Sequence, residues 1–151
     1  GLERVPTEID LLLQRGRQRF ELPAQQAGVV LDTEIETGLP HLLLCHNAMD
    51  RVLDNLIGNA LRHTPAGGSI TLSAQRTPDQ RIAIAVVDTG EGIPFGQQAL
   101  IFQPFVQIGT KRGGAGLGLA ICKEIVQQHG GEIRVSSLPR RGTTIKILLP
   151  E

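Results

Sequence analysis

Apolar and polar residues along the 151-residue chain follow two periods, which predict three helices and about six strands. The helical period covers residues 7–20, 47–63 and a run from Gly116 that stops at Gly130-Gly131. A short helix is also expected around 96–101. Strands are predicted by alternation and by flanking turn residues at 28–35, 41–45, 70–74, 82–86, 132–137 and 143–149.

Most of these strands follow one another through short turns, such as Thr77-Pro78-Asp79-Gln80. Hairpin-linked strands with few helices favour a two-layer α/β sandwich, in which a mixed, mostly antiparallel sheet carries three helices on one face. A doubly wound parallel fold is disfavoured for the same reason. The length and the 40% of hydrophobic residues fit a single domain over residues 1–151.

Composition narrows the possible partners. The 15 basic and 15 acidic residues give no formal net charge, and the only aromatic residues are four Phe. Neither a basic surface nor a stacking platform is indicated, so no nucleic-acid partner is expected. No apolar run approaches the length of a membrane span. The chain starts at Gly1 and its only methionine is Met49, so we expect an excised piece of a longer protein.

The helix over 47–63 carries a polar stripe and, on its other side, an apolar stripe that is predicted to face the core, formed by Met49, Leu53, Ile57 and Ala60. Asn55, Asn59 and Arg62 are four and three residues apart and share one face, here called the asparagine stripe. An amide oxygen can ligate Mg²⁺, and a guanidinium can hold phosphate oxygens in pairs. The stripe taken alone is explained at least as simply by a solvated helix face, which is the alternative.

Two glycine-containing segments are further candidates. Residues 88–93, Asp-Thr-Gly-Glu-Gly-Ile, follow an apolar strand, so the carboxylate could accept a hydrogen bond from an exocyclic amine. An ordinary Asx turn explains that segment equally well. Residues 113–119 lead glycines into a helix N-terminus, which favours anions such as phosphate over a plain flexible loop. Phe102 and Phe105 lie between these two segments. They could pack at the base of a flap or belong to the hydrophobic core, and the sequence favours neither interpretation.

The order of these motifs is more specific than any one of them. Asn-x-x-x-Asn, Asp-x-Gly-x-Gly-Ile, Phe-x-x-Phe, Gly-x-Gly-Leu-Gly-Leu and Gly142-Thr143-Thr144 follow one another along the chain. This order resembles the ATP-binding catalytic domain of sensor histidine kinases, strongly over 47–149. The resemblance implies the Bergerat-type ATP-binding α/β sandwich, which is shared with gyrase, Hsp90 and MutL.

The resemblance also implies roles for single residues. Asn59 would coordinate Mg²⁺, with Asn55 and Arg62 as the residues nearest the chemistry. Asp88 would bind the adenine amine, and backbone N–H groups of residues 116–119 would hold the phosphates. The full set implied for ATP binding is Asn55, Asn59, Arg62, His63, Asp88, Gly90, Gly92, Ile93, Phe105, Lys111, Arg112, Gly114, Gly116, Leu117, Gly118, Leu119 and Thr143.

Two positions, one of them a departure from the family pattern, bear on activity. Gln107 stands where many members have an arginine, so contact with the γ-phosphate would pass to Lys111 or Arg112. Asn55 stands where the hydrolysing relatives place a glutamate as general base, which favours phosphoryl transfer over hydrolysis. The alternatives are an ATPase of the gyrase type, an anti-sigma-factor serine kinase and a catalytically passive nucleotide-binding module.

The implied reaction is transfer of the γ-phosphoryl group from Mg-ATP to a histidine on a separate helical-hairpin dimerisation domain. None of the four histidines here has the sequence setting of that acceptor, so the isolated domain is not expected to autophosphorylate. A response regulator would take the phosphoryl group next. The parent kinase is expected to be a homodimer anchored in the bacterial inner membrane, with this domain in the cytoplasm and monomeric when isolated.

Overall fold

The computed structural model describes residues 3–103, 118–138 and 140–151, in which three α-helices pack on a five-stranded sheet. The elements, in chain order, are β1 (Val5–Thr7), α1 (Ile9–Ala27), β2 (Val30–Ile35), β3 (Leu42–Leu44), α2 (His46–His63), β4 (Ser69–Arg76), β5 (Arg81–Asp88), a 3-10 helix (Phe95–Leu100), α3 (Gly118–Gln128), β6 (Glu132–Ser137) and β7 (Thr143–Pro150).

The main sheet has the strand order β2-β4-β5-β7-β6. Strands β2 and β4 run parallel because the chain crosses between them through β3 and α2, and every other pair is antiparallel. The predicted two-layer sandwich with a mixed, mostly antiparallel sheet is therefore confirmed. Asp88, at the end of β5, pairs with Thr143 at the start of β7. Two segments that are far apart in sequence thus meet where these two central strands pair at one end of the sheet.

One face of the sheet and the three helices share the hydrophobic core. Alternate residues on the three central strands, such as Leu72, Ile84 and Ile147, are fully buried. From the helix side, Leu53 of α2 and Val126 of α3 are equally buried. The core stripe predicted on α2 is confirmed, because Met49, Leu53, Ile57 and Ala60 are all buried.

Helix α1 extends seven residues beyond its predicted end at Phe20. Pro23 lies inside the helix, where it removes one backbone N–H donor without ending the helix. The stop comes at Gly28, which has a φ of 71° and closes a Schellman motif: its N–H donates to Gln25 O and that of Val29 donates to Ala24 O. Strand β2 accordingly begins at Val30, not at residue 28.

Strand β1 was not predicted, and β3 lies outside the main sheet. These two strands form a separate antiparallel pair, in which Val5 faces Leu44. Three-residue strands are too short for a periodic signal, which is why the sequence pattern missed β1. The buried His129, after α3, accepts a hydrogen bond at Nε2 from Cys45 N and bonds Ile125 O through Nδ1. This imidazole joins the end of α3 to the start of α2.

Helices α1 and α2 approach closely at Gly16, where a Cβ would lie 3.5 Å from side-chain atoms of Ile57 and Leu53. At the rim of this contact, Arg19 Nε donates to Asp54 Oδ1 over 2.7 Å. No helix within the described ranges has the length and apolarity needed to span a lipid bilayer.

Candidate functional site

The segment over residues 88–93, here called the Asp88 loop, begins with a buried carboxylate. Asp88 is only 6% exposed, and its Oδ1 accepts a hydrogen bond of 2.8 Å from Gly90 N. Burial raises the pKa of the Asp88 carboxyl, although hydrogen bonds from the backbone of Gly90 and Thr143 partly oppose this shift. A buried acceptor at the end of a strand is suited to one polar group of a ligand.

Two glycines allow this loop to approach its neighbours more closely than other residues could. A Cβ on Gly90 would lie 2.2 Å from His63 O, at the end of α2. A Cβ on Gly142 would lie 2.0 Å from Asp88 O, and Gly142 has a φ of 87° as well. Both glycines are therefore required by the geometry of the loop.

Hydrogen bonds with α2, the β6–β7 turn, β6 and the 3-10 helix hold the loop. Glu91 N donates to His63 O, and Arg140 N, from the β6–β7 turn, donates to Glu91 O over 2.7 Å. Ile93 N donates to Ser137 Oγ over 2.7 Å, and Gln98 Nε2 donates to Ile93 O over 3.0 Å. Four hydrogen bonds within the protein thus fix the backbone of the loop.

Ser137 and Gln98 were missed at the sequence level. Neither lies in a recognisable motif, since a serine at a strand end and a glutamine in a polar turn are ordinary surface residues. Thr143, in contrast, was a predicted site residue. It is 7% exposed at the start of β7, and its Oγ1 lies 2.9 Å from Ser137 Oγ.

The asparagine stripe begins where α2 meets α3. Asn55 is half-buried, and its Nδ2 donates to Gly118 O over 3.4 Å. A Cβ on Gly118 would lie 3.3 Å from Asn55 Oδ1, so the two helices are in close contact there. Beneath Asn55, burial raises the pKa of the Cys122 thiol to about 12, which keeps this sulfur protonated and chemically inert.

The rest of the stripe continues along α2 toward the Asp88 loop. Asn59 lies one turn after Asn55 and is half-buried, whereas Arg62 is exposed and its Nη1 lies near Gly58. His63, the last residue of α2, has its Nδ1 2.9 Å from Glu91 Oε1. Helix α2 therefore contacts both motifs, α3 through Asn55 and the Asp88 loop through His63.

Further residues named by the sequence analysis lie within the described part of the chain. Gly118 is the first residue of α3, and Leu119 and Phe102 pack against the hydrophobic core, as one of the two readings of Phe102 expected. Gly92 adopts a φ of 77° within the Asp88 loop. Six predicted residues lie outside the described residues, namely Phe105, Lys111, Arg112, Gly114, Gly116 and Leu117.

The chemistry of the described residues fits a magnesium-bound nucleotide. Asp88 offers a buried acceptor on a backbone that neighbouring elements hold in place. Asn59 offers one amide oxygen on a rigid helix, which suits Mg²⁺ because this ion commonly takes its other ligands from water and substrate phosphates.

Comparison with known proteins gives the same direction. The family described as histidine kinase-, DNA gyrase B- and HSP90-like ATPase matches residues 46–151. The alginate biosynthesis sensor protein KinB of Pseudomonas aeruginosa is 50% identical over 149 residues, which are 99% of this chain and 25% of KinB. This chain therefore spans about a quarter of the length of that relative.

Two solved structures share the fold. Full-length ShkA in complex with AMPPNP is 30% identical with a TM-score of 0.90, over 99% of this chain and 31% of ShkA. The histidine kinase ThkA in complex with the response regulator TrrA is 22% identical with a TM-score of 0.82, over 97% of this chain and 41% of ThkA. The chain thus belongs to the family of histidine kinase-, DNA gyrase B- and HSP90-like ATPases, as an ATP-binding domain homologous to those of sensor histidine kinases.

Proposed function

We propose that this chain is the catalytic domain of a two-component sensor kinase, which binds Mg-ATP and transfers the γ-phosphoryl group to a histidine on a separate helical-hairpin domain. The observation that carries this proposal is the position of α2. One helix contacts the start of α3 through Asn55 and the Asp88 loop through His63, so that a single nucleotide could reach both.

At the base end, Asp88 accepts the adenine amine, and the backbone of Gly92 and Ile93 lies beside the ring. The ionised form of Asp88 is the stronger acceptor. Because Thr143 pairs with Asp88 in the sheet, its side chain is available at the same edge. These residues recognise the base and take no part in bond making.

At the phosphate end, the side chains of α2 supply the polar groups. Asn59 would hold Mg²⁺ through its amide oxygen, with Asn55 and Arg62 flanking the phosphates, and backbone N–H groups at the start of α3 would face the same anion. Bound Mg²⁺ would supply neutralisation of phosphate charge. Lys111, Arg112 and the glycines at 114 and 116 are proposed as further phosphate contacts from the sequence alone.

Transfer is proposed over hydrolysis because of Asn55. An amide cannot accept a proton near neutral pH, and the Nδ2 of this residue is directed at Gly118 O, where it joins two helices. Transfer to a protein side chain needs mainly positioning and charge neutralisation, which the site residues can supply.

The acceptor histidine is proposed to lie outside residues 1–151, on the hairpin of the same kinase. His129 is 4% exposed with both ring nitrogens bonded, which argues against it as an acceptor. The onward partner is a response regulator, a proposal supported by the complex of ThkA with TrrA. The parent is proposed to be a homodimer anchored in the inner membrane, with this domain on the cytoplasmic side.

The test incubates the domain with γ-labelled ATP and Mg²⁺, alone and with a helical-hairpin dimerisation domain from a sensor histidine kinase. Label on the hairpin, absent when the hairpin histidine is replaced by alanine, is the expected result. Rapid release of phosphate by the domain alone would instead support an ATPase. Nucleotide binding without either outcome would support a passive module, and label on a serine would support a serine kinase.

A further inference from the structure

Ile93, at the end of the Asp88 loop, has both of its backbone polar groups bonded to side chains of other elements. Its N–H donates to Ser137 Oγ over 2.7 Å, and its carbonyl accepts from Gln98 Nε2 over 3.0 Å. Ser137 is the last residue of β6, and Gln98 belongs to the 3-10 helix. Ile93 is itself 9% exposed, so these bonds lie close to buried surface.

The donor hydrogens of Ser137 and Gln98 are all used in hydrogen bonds, which restricts the orientation of both side chains. Ser137 Oγ accepts from Ile93 N, so its single hydrogen is directed to Gly142 O or Thr143 Oγ1, both 2.9 Å away. The amide of Gln98 has two hydrogens, and both are used, because Nε2 also donates to Ser137 O over 2.7 Å. The two residues therefore bind each other, the loop and the start of β7.

We propose that Ser137 and Gln98 are positioning residues that set the location of Ile93 and Thr143, and through them the affinity of the domain for the adenine base. This inference rests on the proposed nucleotide site and adds two residues to it. Neither side chain is placed on the nucleotide itself. Their action is indirect, since they fix the backbone that lies beside the base.

The expected consequence is selective. Loss of a clamp on one loop residue leaves the core packing unchanged, because Ser137 and Gln98 are only half-buried. The loop then samples more conformations, and the binding-competent fraction of molecules decreases, which lowers the apparent affinity in proportion. Contacts made by the phosphates on α2 and α3 do not depend on Ile93 and are expected to persist.

The first experiment measures the nucleotide-free chain by amide hydrogen exchange. In Ser137→Ala, the Ile93 amide is expected to exchange at least about tenfold faster, since about 1.4 kcal/mol of local protection corresponds to that factor. Ser137→Thr keeps the hydroxyl and should restore slow exchange. Ser136→Ala, an exposed neighbour on β6, is the matched control. Unchanged exchange in Ser137→Ala would overturn the clamp.

The second experiment measures affinity by calorimetry in magnesium buffer, for ATP and for inorganic triphosphate. In Gln98→Glu the new side chain has the same size but no amide hydrogens. This variant should bind ATP about fivefold to tenfold more weakly, as should Gln98→Leu. The affinity for inorganic triphosphate is expected to stay unchanged. Gln97→Leu, on the exposed side of the same 3-10 helix, is the control. The melting temperature of each variant shows whether it is folded.

The outcomes separate the two proposals. If the unmodified chain binds no ATP, the proposed function fails and this inference fails with it. If the unmodified chain binds ATP and the Gln98 variants bind it equally well, only the positioning role is wrong. An equal loss of affinity for ATP and inorganic triphosphate would also contradict it, because it would indicate general damage to the site.

Discussion

The Asp88 loop and the asparagine stripe form two parts of one proposed site, yet different forces hold them. In the loop, close approaches of glycine, a backbone hydrogen bond to α2 and side-chain hydrogen bonds from β6 and the 3-10 helix determine the shape. In the stripe, side chains project from a helix whose opposite face is buried in the core. The loop depends on its tertiary neighbours, whereas the stripe depends mainly on α2 being a helix.

This difference separates shape from chemistry. A side chain added at a glycine of the close approaches, Gly90 or Gly142, displaces the backbone of the loop and therefore the fold around it. A substitution in the stripe removes one polar group and leaves the helix as it was, since helix α2 is stabilised by its buried residues. We therefore expect variants of these two glycines to affect stability and binding together, and stripe variants to affect binding alone.

The largest effect is expected for Gly142→Ala. The added Cβ would lie 2.0 Å from Asp88 O at a φ of 87°, so backbone strain and overpacking act together. We expect a loss of about 3 kcal/mol of unfolding free energy, or roughly 6–12 °C in melting temperature. Gly67→Ala is the matched control, because Gly67 has a φ of 93° with no heavy atom within 4 Å. That control should lose about 1 kcal/mol, and equal losses would contradict the close approach.

A smaller effect, on binding alone, is expected for Asn59→Ala. Removal of the proposed metal ligand should lower the affinity for Mg-ATP at least about tenfold, which corresponds to about 1.4 kcal/mol of binding free energy. The melting temperature should change little, because alanine is a favourable helix residue at a half-buried position. Asn47→Ala, in the exposed first turn of the same helix, is the control. Calorimetry with and without Mg²⁺ checks the assignment, and an unchanged affinity would exclude Asn59 as the ligand.

The pH dependence of base binding gives a more modest effect. Because burial raises the pKa of Asp88, this carboxyl protonates at a higher pH than an ordinary aspartate. Its buried charge costs folding free energy at neutral pH, and this cost disappears as the pH falls through the raised pKa. Affinity for adenosine should meanwhile fall by about fivefold, the difference between a charged and a neutral hydrogen bond.

Adenosine is used in this titration because it carries no phosphate groups whose own protonation would mask that of Asp88. The affinity should be measured between neutral and mildly acidic pH, by calorimetry, alongside the melting temperature. If the affinity for adenosine stays constant down to the pH at which ordinary carboxyls protonate, burial does not raise the pKa of Asp88.

The smallest effect is expected at the contact between the two regions. His63 Nδ1 and Glu91 Oε1 are 2.9 Å apart, but the side chains are 22% and 42% exposed. Solvent screens such a pair, so Glu91→Gln should change the unfolding free energy by less than about 1 kcal/mol. Thermal unfolding in low and high salt measures this, with Glu36→Gln as the exposed control. A loss comparable with that of Gly142→Ala would mean that the side chains, not the backbone, hold the loop against α2.

The sequence-based predictions succeeded where a pattern was long and local. The core stripe of α2 and the strands of the main sheet followed from periodicity, although single ends moved by a few residues. Predictions failed where the signal was short or was overridden, as at β1 and at Pro23 inside α1. Propensity is a local quantity, and the packing of α1 on α2 outweighs one lost hydrogen bond.

The amino-acid sequence by itself determined the motif order, the helix that carries Asn55 and Asn59, and the strand that ends at Asp88. Only the tertiary structure brought Thr143 beside Asp88, placed Gly142 on the Asp88 backbone, and recruited Ser137 and Gln98 to Ile93. The physical reason is the distance along the chain over which each kind of signal acts. Periodicity reports which face of one element is buried, whereas these contacts join residues up to 55 positions apart, through hydrogen bonds that have no local pattern.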